Sequence, residues 1–156
     1  MTVLEPGCGM GYFSLPLARL VGPAGKVICV DLQPRMIDGL RRRAGRAGLL
    51  DRIEASVCTP GDLGLSRWLG QVDVAVAIHT VHEVGDARAF LGQIADALRP
   101  GGTLLFLEPR GHVSPEAFDE TIAVAWSVGL VERERPVLRR KLAAVLKKKD
   151  PSPAER

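Results

Sequence analysis

Val3-Leu-Glu-Pro-Gly-Cys-Gly-Met-Gly11 and Val27-Ile-Cys-Val-Asp31 are the two segments whose reading decides the fold. The first carries an apolar strand into three glycines at alternate positions, and a helical pattern over Ser14–Val21 follows. The second is an apolar run ending in an acid, twenty residues after Gly11. Gly7, Gly9 and Gly11 let the backbone turn sharply and approach a ligand that a Cβ would block. The helix N-terminus beyond them offers free N–H groups to a carboxylate. An acid at the end of the next strand suits the two hydroxyls of a ribose. Tyr12 stands where a dinucleotide fingerprint places its third glycine, which argues against NAD and against a hydride-transferring oxidoreductase. No Gly-Lys-Ser/Thr follows, so the loop is not a triphosphate P-loop.

Outward from these segments, apolar runs alternate with helical patterns. Strands are expected at Thr2–Leu4, Lys26–Val30, Ile53–Val57, Val72–Ile78, Thr103–Leu107, Leu130–Arg135 and Arg139–Leu146. Helices are expected at Ser14–Val21, Arg35–Ala47, Ala87–Leu98 and Pro115–Ser127, with a short one near Leu65–Leu69. Pro16 falls in the first turn of its helix, where proline is tolerated. Val72-Asp-Val-Ala-Val-Ala-Ile78 is nearly all apolar, as in a strand covered on both faces. The fold class is therefore α/β: a doubly wound, mostly parallel seven-stranded sheet with helices on both faces. Only Pro136, Val137 and Leu138 separate the last two strands. So short a link holds no crossover helix, and the final strand should run antiparallel.

The 156 residues suit one domain, spanning 1–149, with a fraying tail over 150–156 that contains Pro151 and Pro153. Hydrophobic residues make up 46% and aromatics 4%, a balance that fits helices packed on a sheet. No run of 18 apolar residues is present and the N-terminus lacks a secretory pattern, so a cytoplasmic protein without a membrane span is expected. Cys8, Cys29 and Cys58 are odd in number and far apart, which disfavours a disulfide framework or a zinc knuckle. The net charge of +3 says little about partners. Four Phe, two Trp and one Tyr give thin support for stacking bases, so a nucleic-acid substrate is disfavoured. Arg41-Arg-Arg43 reads as a solvated helix face, and Lys147-Lys-Lys149 as a strand end in water.

Glu5-Pro-Gly-Cys-Gly-Met-Gly11 resembles motif I of class I, Rossmann-like S-adenosylmethionine-dependent methyltransferases. Val30-Asp-Leu-Gln-Pro-Arg-Met36 resembles their second motif, and Leu98-Arg-Pro-Gly-Gly-Thr103 resembles the turn into their fifth strand. The likeness covers nearly the whole chain and points most of all to small-molecule and ubiquinone-biosynthesis-like members. It implies S-adenosyl-L-methionine as cofactor and in-line transfer of its methyl group to a small-molecule substrate. It further implies that Gly7, Cys8, Gly9 and Gly11 line the methionine part, with Glu5 organising the loop near the amino group. Asp31 would grip the ribose, while Leu32 and Met36 pack on the adenine. Where relatives often carry an acid beside the adenine amine, this chain has Cys58-Thr59, with Asp62 three residues on. The family usually has one or two helices before its first strand, whereas this sequence opens inside that strand. A more open site, weak cofactor binding and a second copy or partner chain covering the site are the matching expectations.

Ligands of open parallel sheets bind beyond the carboxyl ends of the strands. Glu5, Asp31, Cys58 with Thr59, His79 with Thr80, and Glu108 all fall there, each after an apolar run. His79 is a candidate for contact with the cofactor near its sulfonium. His82 is a weak candidate for a general base, and Glu108 a weaker one. His79 and His82 have no evident third ligand, so no metal is expected. Two further functional classes stay open: a non-catalytic cofactor-binding partner subunit, and a methyltransferase acting on RNA or protein.

Overall fold

β1 (Thr2–Pro6) pairs in parallel with β2 (Lys26–Asp31) on one side and with β4 (Val72–Ile78) on the other. The structure is a computed structural model and describes residues 1–150; the rest of the expected tail, 151–156, lies outside the described residues. β3 (Ile53–Val57) lies beyond β2, and β5 (Leu98–Pro109) lies beyond β4, both parallel. β7 (Lys141–Lys148) is inserted antiparallel between β5 and β6 (Leu130–Glu134). The seven-stranded order is β3-β2-β1-β4-β5-β7-β6. The expected fold class is thus the observed one, and the antiparallel strand is internal, with β6 at the edge.

Strand alternation explains how helices come to cover both faces. Successive β2 side chains point to opposite faces. Val27 and Cys29 pack with α1 (Ser14–Leu20) and α2 (Pro34–Ala47), through Leu15, Ala18, Ile37 and Leu40. Ile28 and Val30 belong to a second core with α3 (Ala87–Ala97) and α4 (Pro115–Ser127). That core holds Leu4, Leu91, Ile94, Leu104, Phe106 and Phe118, all at most 1% exposed. On the first face, the strip over β4, β5 and β7 carries Val74, Leu105 and Val145, which remain half-buried.

Local chemistry sets the boundaries. Pro34 occupies the first turn of α2, where its missing N–H costs nothing; the helix therefore begins one residue before the expected Arg35. Asp86 caps α3 by accepting from the Ala89 N–H at 2.9 Å, and Ser114 caps α4 by accepting from Ala117. β5 starts at Leu98, five residues earlier than expected, because Leu98 pairs with Val72 ahead of an irregularity in the register. β7 starts at Lys141 and not at Arg139, since Arg140 adopts φ +62° and completes the hairpin turn. It also runs on to Lys148, whose Nζ donates to the Leu98 carbonyl at 2.7 Å. Water was the expected partner of Lys147–Lys149; the carbonyl offers Lys148 a closer one, and the Lys149 ammonium lies 4.4 Å from the centre of the Trp126 ring.

No helix among the described residues is long and apolar enough to cross a membrane. The rings of Phe106 and Phe118 stack 4.7 Å apart and tie α4 to the centre of the sheet. Truncating one of them opens a cavity in a site with little room to collapse. Phe118→Ala should therefore lower the unfolding free energy by about 3–5 kcal/mol, measured by urea titration.

Candidate active site

The carboxyl ends of β1, β2 and β4 open onto a cleft of about 290 Å³. It sits where the strand order reverses, since β2 and β4 flank β1 and their connections leave in opposite directions. Gly7, Asp31, Leu32, Cys58, Thr59 and His79 line it, as do Leu63, Thr80, Glu83, Val84 and Phe90.

The glycine loop is held to β2 by its own backbone. The Gly7 and Cys8 N–H groups both donate to the Val30 carbonyl, at 2.8 and 3.2 Å. The Gly9 N–H donates to Asp31 Oδ2 at 2.9 Å, and the Gln33 N–H donates to Oδ1 at 2.9 Å. Each carboxylate oxygen keeps a second lone pair for a ligand hydroxyl. Gly7 has φ +71°, and a Cβ there would lie 2.6 Å from the Thr80 side chain. Gly11 has φ +86°, and a Cβ there would run into Leu40 of α2. So Gly7 borders the cleft, Gly9 ties the loop to the acid, and Gly11 lets the second helix pack.

Beneath the loop lie two residues that do not line the cleft. Glu5 is 4% exposed and accepts from the Ser14 hydroxyl at the start of α1. Burial pushes its carboxyl from 4.5 up to about 7, against the opposing pull of that hydrogen bond. The Cys8 thiol is also held up, by its neighbour Cys29 and by burial, and stays protonated. Met36 is half-buried in the first turn of α2 and also stays off the cleft wall. Asp62 turns away as well: its carboxylate accepts from the Gly64 N–H at 2.7 Å within its own loop.

The segment after β4 forms the opposite wall. His79 sits at φ +56°, with its N–H donating to the Leu107 carbonyl at 2.9 Å. Its Nε2 is buried and has no hydrogen-bond partner among the described residues. Burial and then the nearby Lys141 ammonium push the imidazole down, which favours its neutral form. His82 and Glu108 are brought together. Glu108 is 1% exposed and accepts twice from His82, from the ring Nδ1 at 2.5 Å and from the backbone N–H at 3.1 Å. Burial pushes the Glu108 carboxyl up, and the His82 contacts oppose the shift. The pair borders a separate groove with His112 and Thr121, not the cleft. It therefore latches the segment that carries His79, Thr80 and Glu83. Among the described residues, no group of three His, Cys, Asp or Glu side chains is placed to hold a metal ion.

Leu63, Val84 and Phe90 were not legible as cleft residues. Phe90 lies on the apolar stripe of α3 and reads as core, while Leu63 and Val84 come from irregular loops.

The geometry has counterparts among known proteins. A family model described as a methyltransferase domain matches residues 3–102. The chain belongs to this family. Its sequence is 33% identical over 141 residues to the aklanonic acid methyltransferase DauC of Streptomyces sp. (strain C5), covering 86% of this chain and 62% of the relative. It is 31% identical over 109 residues to a ubiquinone biosynthesis O-methyltransferase of Methylocella silvestris, covering 67% of this chain and 38% of the relative. The chain thus spans less than two-thirds of the length of either. The crystal structure of a SAM-dependent methyltransferase from Aquifex aeolicus superposes with a TM-score of 0.83 at 22% identity, covering 94% of this chain and 81% of that one. The class I, Rossmann-like assignment implied by the three motifs is therefore borne out.

Two outcomes follow from the buried acids. Because the folded-state pKa of Glu5 is raised, the stability it contributes is complete below pH 4.5 and is lost as pH rises through about 7. Glu5→Gln should remove this loss. Its unfolding free energy relative to the parent should rise by about 3 kcal/mol between pH 4.5 and pH 8 in urea titrations. His82→Ala strips the buried Glu108 of its side-chain donor, and should destabilise the protein by about 1–3 kcal/mol in the same measurement.

Proposed function

We propose that this chain transfers a methyl group from S-adenosyl-L-methionine to a small-molecule acceptor. The observation that carries this reading is the Asp31 carboxylate, fixed by the Gly9 and Gln33 N–H groups at the rim of the β1/β4 cleft. The residues present suit the cofactor. Asp31 keeps free lone pairs for ribose hydroxyls, and Leu32, Cys58, Leu63 and Phe90 offer an apolar bed for a purine. Gly7, at φ +71°, lets Thr80 pack against the loop at the edge of the cleft. His79 and Thr80 line the far wall. When bound, S-adenosylmethionine supplies a methyl group already activated by its positive sulfur.

The chain's own task is then to bind, orient and exclude water. Positioning of this kind supplies roughly 7–11 kcal/mol in favourable cases. Glu108 acts through His82 as a positioning residue, by holding the 79–84 segment against the cleft. The names of the two relatives, which refer to aklanonic acid and to ubiquinone biosynthesis, are in keeping with a small acceptor.

Calorimetry with S-adenosylmethionine, S-adenosylhomocysteine and NAD tests the reading. Binding of both sulfur compounds and none of NAD is expected. Asp31→Ala should weaken S-adenosylhomocysteine by about tenfold to a hundredfold, because charge-assisted hydrogen bonds are worth roughly 1.5–3 kcal/mol. Tight NAD binding with no response to either sulfur compound would sink the proposal.

A further inference from the structure

Two strands from His79, the hairpin that joins β6 to β7 folds back over the end of β5. Lys141 opens β7 directly opposite Pro109. The Arg110 N–H donates to the Arg140 carbonyl at 3.2 Å, and Arg110 Nε reaches the Lys141 carbonyl at 3.5 Å. These contacts place the Arg110 and Lys141 side chains beside one recess of about 200 Å³. Phe118, Pro136, Val137 and Leu138 supply its apolar walls, and no acidic residue lines it.

The third cation at the recess is already satisfied. Arg135 pairs with Asp119 at 2.5 Å and with Glu132 at 2.6 Å, and lies over the Phe118 ring. Arg110 and Lys141 differ: among the described residues neither has a carboxylate within ion-pair distance. Adjacent strands lie about 4.8 Å apart, so the end of β7 stands roughly 10 Å across the sheet from the end of β4 and its His79. The recess and the cofactor cleft share no lining residue, and this short span across β5 is what separates them. An apolar recess with two unneutralised cations attracts an anion on a hydrophobic body.

Resting on the methyl-transfer reading, we infer that the acceptor is an apolar or aromatic molecule carrying a carboxylate or phosphate, gripped by Arg110 and Lys141 while its far end reaches the wall at His79.

The probes are 2-naphthoate, 2-naphthyl phosphate and uncharged 2-naphthamide, titrated calorimetrically into protein preloaded with S-adenosylhomocysteine. At least one anion should bind ten times more tightly than the amide, and its affinity should fall as salt is added. The carboxylate and phosphate arms decide which anion the site prefers. The double variant Arg110→Gln with Lys141→Gln should lose the anion at least tenfold while keeping its affinity for S-adenosylhomocysteine. Amide binding as tight as that of the anions overturns the inference. So does an anion affinity unchanged in the double variant, or no binding of either anion. If the parent protein fails to bind S-adenosylhomocysteine, the methyl-transfer reading fails instead, and the same titrations on unloaded protein still judge the anion site.

Discussion

A single backbone-to-carboxylate hydrogen bond, Gly9 N–H to Asp31 Oδ2, joins the two segments on which the site depends. It closes a ring made of the glycine loop, the end of β1 and the end of β2. The paired donation from Gly7 and Cys8 to the Val30 carbonyl closes the same ring one residue earlier. The loop is therefore held in shape by the strand that carries the ribose-facing acid, and that acid is oriented by the loop. Preorganisation of this kind lowers the ordering cost of binding. It also means that the acid and the glycines act as a unit, and that removing Asp31 loosens the loop as well as the ligand contact.

Under that ring the protein tolerates an unusual layer. Glu5, Ser14, Cys8 and Cys29 are all buried where a plain apolar layer would pack as well. Burying a carboxyl is costly unless it is neutral or hydrogen-bonded, and Glu5 is both pushed toward neutrality and bonded to Ser14. On the other wall, Glu108 meets the same constraint with His82 in place of a serine. Two buried acids, one per wall, each fasten a loop or helix start whose position shapes the cleft.

Much of this was legible from residue pattern alone. The bounds of β3, β4 and α4 agree with the apolar runs and the helical pattern, because those segments have strong periodicity and clear breakers at their ends. The early start of β5 was not legible. Arg99-Pro-Gly-Gly102 reads as a turn, and only pairing of Leu98 with Val72 across the sheet extends the strand. The resemblance implied that Gly11, Cys8 and Met36 line the cofactor. The structure places Gly11 against Leu40, Cys8 beneath the loop and Met36 off the cleft wall. The reason is geometric: a motif fixes which residues lie near a loop, and only tertiary packing decides which of them face inward. The Glu108–His82 latch was hidden for the same reason, since its partners are 26 residues apart in sequence.

The insertion of β7 between β5 and β6 has a consequence for how the chain matures during synthesis. β6 leaves the ribosome before β7, yet it has no place in the sheet until β7 arrives to bridge it to β5. Until then the β5 edge is bare, with unpaired N–H and carbonyl groups along Thr103–Pro109, the kind of edge that invites pairing with another nascent chain. The five parallel strands and the glycine loop can assemble first, but the sheet closes only when β7 emerges. Premature termination inside Lys141–Lys148 would therefore cost two strands, and would leave β5 open along one side.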